Sequence, residues 1–140
     1  MRVFPRNKIT FLDITEPINA LIQKEGGVEG MAHLYTRHTT TAIRVNENES
    51  NLVRDFHEFM ESLIPASKEY HRDKLHLRDC PADEPKNARA HLMALMLGSS
   101  ESIPFRDGKL MLGLWQSIFF IDCDGGRPDG REILVTIVSP

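Results

Sequence analysis

The sequence predicts a single α+β domain with antiparallel strand pairing, and three observations carry that expectation. Two sizeable helical stretches stand among six or so strand-like runs, consecutive strands are separated by turns, and no βαβ alternation supports a doubly wound parallel sheet. A chain of 140 residues fits one hydrophobic core. No repeat, low-complexity block or linker-like shift divides it, so residues 1–140 are read as one unit.

The run "KITFLDIT" reads as a strand from its β-branched and aromatic content. Thr15 is expected to cap a short helix from Glu16, with Pro17 tolerated in the first turn and Gly26-Gly27 ending it. "VEGMAHLYT" and "TAIRV" are the next strands, and they bracket "RHTT", so His38 falls at a strand end. After "NENES", Leu52, Phe56, Phe59 and Leu63 recur at four, three and four residues, the stripe of an amphipathic helix with Phe56 and Phe59 in the core. Pro65 stands just past its end.

The next stretch, "IPASKEYHRDKLHLRDCPADEPK", is long and charged, and long ordered loops are uncommon unless functional. Asn87 is expected to cap a second main helix, "NARAHLMALMLG", closed by Gly98. The remainder reads as an antiparallel meander: "SIPF", a turn at Asp107-Gly108, "KLMLGLWQSIFFIDCD", a turn in "GGRPDG", and "REILVTIVS".

Composition excludes several functions. A net charge of −3 argues against a broad nucleic-acid footprint, which needs a clustered basic surface. No apolar run approaches the roughly 20 residues of a membrane span. "MRVFPRNKITF" lacks an apolar signal core, so the expected location is the cytoplasm. Cys80 and Cys123 are too sparse for a disulfide framework or a CxxC metal site, and free thiols are expected.

The six histidines show no HExxH or other short metal spacing, so any metal site must be assembled by the fold. His38, His71 and His91 fall at a strand end, in the long loop and near a helix start, places from which side chains can converge. Against that, His91 also fits a core histidine and His71 an exposed loop residue. Glu47 and Glu49 fit a helix cap, or a carboxylate that orients a histidine or acts as a base. The hydroxyls of Thr39, Thr40 and Thr41 suit either a strand or an anion, with Arg37 and Arg44 near in sequence. Neither a GxSxG elbow nor a Walker loop is present.

The ordered blocks "HTTTAIRVNENE", "NARAHLMALMLGSSESIP" and "DGKLMLGLWQSIFFIDCDG" resemble the YjbQ family, across most of Thr36 to Val138. This chain has Leu114 where the family usually reads Gly-Thr-Trp-Gln, and His71 directly follows Tyr70 where the family commonly spaces the two.

The resemblance implies an antiparallel β-sandwich or partly closed barrel, a homotrimer, and a pocket where His38, His71 and His91 hold a divalent metal, zinc by preference. It also implies a thiamine-phosphate synthase activity, joining hydroxymethylpyrimidine pyrophosphate to thiazole phosphate with release of pyrophosphate, on whose oxygens magnesium would sit. In that reading Glu47 is the base or ligand-orienting carboxylate. Thr39, Thr40, Ser99 and Ser100 contact the anion of a small phosphorylated metabolite, and Trp115 and Gln116 line the pocket. The alternatives are a non-catalytic metal- or anion-binding trimer, and a metal-dependent hydrolase of a small metabolite.

Overall fold

The structure is a computed structural model that describes residues 1–5 and 7–140. In chain order the elements are β1 (Arg2–Val3), β2 (Thr10–Asp13), α1 (Thr15–Lys24), β3 (Glu29–Thr36), β4 (Thr41–Asn46), α2 (Ser50–Leu63), α3 (Ala88–Leu97), β5 (Ser100–Arg106), β6 (Lys109–Leu110), β7 (Ser117–Asp122) and β8 (Arg131–Val138). Two short 3-10 turns, His71–Asp73 and Leu75–Leu77, lie in the long connection before α3.

All strand pairs are antiparallel, as expected. The larger sheet curls into a half-barrel with strand order β1-β8-β3-β5-β6, and the smaller has order β2-β7-β4. The expected meander is not what forms. β5 and β6 do make a hairpin at Asp107-Gly108, whose positive φ values of 53° and 72° suit a tight primed turn. β7 then crosses to the smaller sheet, and β8 returns to pair with β3. The reason lies in "SIFFID", which is buried from Ile118 to Asp122. A strand apolar on both faces needs cover on both, so it takes the central position.

β7 divides the interior. Ile118 and Phe120 join Ile14, Ile18, Leu34, Phe105 and Ile133 on one side, toward the larger sheet. Phe119 and Ile121 join Met60, Met93 and Cys123 on the other, beneath α2 and α3. Period-2 alternation along one strand thus serves two cores.

Helix boundaries match the expected spans closely, but side chains differ. Thr15 is inside α1, and its hydroxyl accepts from the Ile118 amide at 2.8 Å, tying the helix to β7. Glu49 caps α2, accepting from the amides of Asn51 and Leu52, both at 2.9 Å. On α2 the buried row is shifted by one position from the expected stripe: Met60 is buried, Val53 packs on the core, and Phe59 is 60% exposed. Phe56 keeps its inward place against Phe11, with ring centroids 5.5 Å apart.

Truncating Phe120, which is fully buried, is expected to lower the unfolding free energy by about 3–5 kcal/mol. Phe59→Ala should change it by less than about 1 kcal/mol, because that ring is largely in water. Urea denaturation of both variants checks this, and a similar loss in the two would contradict the register of α2.

Candidate functional site

At one end of the smaller sheet, Thr41 of β4 stands opposite Asp122 of β7. Asp122 is completely buried and is held by four donors. Arg131 gives Nε at 2.8 Å and Nη2 at 3.0 Å, and the amides of Asp124 and Gly125 approach at 2.9 and 2.8 Å. Arg131 also reaches Thr40 Oγ1 at 3.3 Å. The pair therefore binds together the start of β8, the end of β7, the "GGRPDG" loop and the threonine segment.

Around this pair lies a cleft of about 330 Å³. The segment 37–40 supplies Arg37, His38, Thr39 and Thr40; the first 3-10 turn supplies Arg72; α3 and its cap position supply His91 and Asn87; and Arg127 and Arg131 complete the lining. Among these described residues none is a carboxylate.

The carboxylates stand behind the arginines. Arg37 pairs with Glu132 at 2.6 Å, Arg72 with Glu84 at 2.9 Å, and Arg127 with Asp124. Asn87 occupies the cap of α3 without capping it; its Oδ1 accepts from Arg72 Nε at 3.0 Å and its Nδ2 donates to Asp124 at 2.9 Å. A guanidinium carries five N–H donors, so each of these arginines keeps donors beyond those its partner uses.

Two histidine rings face this basic surface. Nε2 of His38 accepts from the Glu132 amide at 3.0 Å. Nε2 of His91 is buried with no hydrogen-bond partner among the described residues. Burial, then the charge of Arg131, lowers the proton affinity of His38; burial, then Arg72, does the same for His91. Both rings are thereby biased to the neutral form at pH 7. Cys123 is buried, and that burial pushes its thiol up to about 12, so it offers no thiolate.

The expected site residues divide between this cleft and other places. His38, His91, Thr39 and Thr40 line it. His71 does not: its side chain is exposed on the 3-10 turn whose next residue, Arg72, enters the cleft instead. Among the described residues no three His, Cys, Asp or Glu side chains are grouped to hold a metal ion. Glu47 follows Asn46, the last residue of β4, and is six residues from Thr41, which places it roughly 20 Å along the chain from the cleft. Trp115 and Gln116 precede β7 at that same far end, where Asn46 pairs with Ser117. Trp115 is exposed, and Gln116 Oε1 accepts from the Gly113 amide at 2.8 Å. Ser99 and Ser100 lie where β5 begins, with the Ser99 carbonyl accepting from Thr36, and do not line the cleft.

Comparison with known proteins agrees with this architecture. A profile described as UPF0047 protein YjbQ-like matches residues 1–140. The chain belongs to the YjbQ-like UPF0047 family. It is 39% identical over 128 residues to a UPF0047 protein of Archaeoglobus fulgidus, covering 91% of this chain and 90% of that one. It is 32% identical over 117 residues to UPF0047 protein YugU of Bacillus subtilis, covering 83% and 81%. A solved hypothetical protein from Aeropyrum pernix K1 has the same fold, with TM-score 0.83, 33% identity, and 100% and 96% of the two chains covered. A YbjQ-like protein from Sulfolobus solfataricus, itself described as of unknown function, matches with TM-score 0.83 and 33% identity over 98% and 92%. Membership in the YjbQ-like family therefore establishes the fold and leaves the chemistry to be argued from the site. No described helix is long and apolar enough to cross a membrane.

Sequence reasoning missed Arg72, Arg127 and Arg131, and assigned Asn87 only to a cap. The available signal was weak: one of two arginines in the long charged loop, one inside the glycine-rich turn and one just after it.

Because the folded-state proton affinities of His38 and His91 lie below the ordinary value of 6.5, the unfolded chain takes up protons first as pH falls below that value. The stability they contribute is present above 6.5 and is lost as pH falls through the folded values. The melting temperature should thus drop between about pH 7 and pH 5, and His91→Asn should flatten that slope. An unchanged slope in the variant would contradict the burial of this ring.

Proposed function

We propose that this cleft binds the phosphate or pyrophosphate group of a small metabolite, and that the protein is an enzyme acting on that group. The observation that carries the reading is the buried, unpartnered Nε2 of His91 in a lining with four arginines and no carboxylate among the described residues. A buried polar atom without a partner is unfavourable by about 1–3 kcal/mol, and a bound oxyanion would supply the missing partner. Spare N–H donors of Arg37, Arg72, Arg127 and Arg131 would neutralise charge that develops on a departing pyrophosphate. Thr40, already oriented by Arg131, adds a hydroxyl.

The specific reaction carried forward from the family resemblance is the thiamine-phosphate synthase condensation. Its demand is charge neutralisation on the leaving group, which this lining suits. Magnesium carried on the pyrophosphate oxygens needs no histidine ligand and remains compatible with the reading. A second reading, binding without turnover, is favoured by one observation: Glu47, the expected base, stands at the other end of β4, and no described carboxylate lines the cleft. Self-association as a trimer is part of the proposal. Leu95, Leu114 and Trp115 are 80%, 88% and 70% exposed, large apolar side chains of the kind a second copy would cover.

Calorimetric titration with inorganic pyrophosphate is expected to show binding that weakens at least ~10-fold in Arg72→Ala and His91→Ala. Wild-type affinity in both would sink the site. Release of pyrophosphate from the two phosphorylated precursors separates enzyme from binder, with loss of turnover in the same variants expected. By sedimentation, the particle mass should be about three times the 15.9 kDa chain; a 15.9 kDa species at micromolar concentration would remove the trimer.

A further inference from the structure

His38 and His91 face one cleft, but their rings are held differently. A backbone amide can only donate, so the Glu132 N–H at 3.0 Å requires a lone pair on Nε2 of His38. The neutral ring then carries its single proton on Nδ1. That Nδ1–H has no hydrogen-bond acceptor among the described residues. On His91, by contrast, nothing engages Nε2, and its tautomer is left free.

We propose that His38 is a fixed hydrogen-bond donor to the bound anion through Nδ1–H, positioned by the main chain of Glu132, and is not a metal ligand. The proposal rests on the anion-binding reading above and assigns this ring its role within it. A histidine ligates metal through a ring lone pair, and the only one His38 has in this tautomer is occupied by the amide. Ligation through Nδ1 would move the proton to Nε2, where it would confront the Glu132 N–H as one donor against another.

The expected zinc centre therefore loses two of its three histidines to geometry. His71 does not line the cleft, and the one lone pair of the His38 ring is taken by the Glu132 amide. Glu132 positions two residues at once: its amide orients His38, and its carboxylate holds Arg37 at 2.6 Å. Adjacent donors at 37 and 38 are thus set by one residue at the start of β8.

Long-range proton–nitrogen correlation spectra of protein labelled with 15N-histidine test this directly. Near pH 7.5 His38 should appear as the Nδ1–H tautomer, unmoved by added zinc chloride, with its Nδ1 signal shifting when inorganic pyrophosphate is added. An Nε2–H tautomer, or a zinc-induced shift at either His38 nitrogen, would overturn the proposal. In titrations, His38→Asn, which places an amide N–H near the Nδ1 position, should restore affinity to within about threefold of wild type, whereas His38→Ala loses at least about tenfold. Equal losses in the two folded variants would also overturn it. If wild-type protein takes up no pyrophosphate at all, the anion reading fails, while the tautomer and the zinc response still decide whether His38 is a ligand.

Discussion

The buried pair between Asp122 and Arg131 is the constraint on which the site depends. Removing two charges from water is costly, and a buried pair is weak evidence of stability in itself. Here the carboxylate is satisfied by the guanidinium and two amides, so the pair specifies position. It joins β7 of the smaller sheet to β8 of the larger one at the end where the chain leaves both for loops. Once that junction is set, Thr40 and the amides of the 123–130 loop have little freedom, and the first residues of β8 can orient Arg37 and His38.

The same logic extends outward. Each arginine at the cleft has a carboxylate partner, and the partners Glu84, Asp122, Asp124 and Glu132 come from loops and from β7 and β8 rather than from the lining. The basic surface is preorganised by charges placed behind it, which limits the repulsion among four guanidiniums while leaving their remaining N–H groups for a ligand. α3 contributes through Asn87, whose amide bridges Arg72 and Asp124 and so links the long loop to the glycine-rich turn. A residue suited to capping serves here as the crosslink between two cleft-bearing segments.

Local chemistry made much of the fold legible in the sequence. Periodicity identified α2, the apolar run and closing Gly98 identified α3, and strand-like runs with turn residues located β3, β4 and β8. Pairing was less legible because it is decided by tertiary burial: "SIFFID" reads as one more strand of a meander until both its faces are found buried. The shift on α2 has a related origin, since a stripe of Leu52, Phe56, Phe59 and Leu63 competes with one through Val53 and Met60, and the sheet beneath selects the second. At the site, His38 and His91 were legible as residues able to converge. His71 was not separable from Arg72 by sequence, because a single step along a 3-10 turn decides which side chain reaches the cleft. Arg72, Arg127 and Arg131 were obscured because each stands within twelve residues of its carboxylate partner in a charged or glycine-rich loop, where a local surface ion pair reads the same as a cleft-lining side chain.

The proposed oxyanion cradle is the lining at residues 37–40, 72, 87, 91, 127 and 131. Crystals grown with sodium tungstate, with data collected at the tungsten edge, test it most directly. An oxyanion cradle should give one anomalous peak in the cleft, within hydrogen-bonding reach of Nδ1 of His38 and Nε2 of His91 and flanked by Arg72 and Arg131. Peaks confined to other surfaces, with the cleft holding only water, would contradict it.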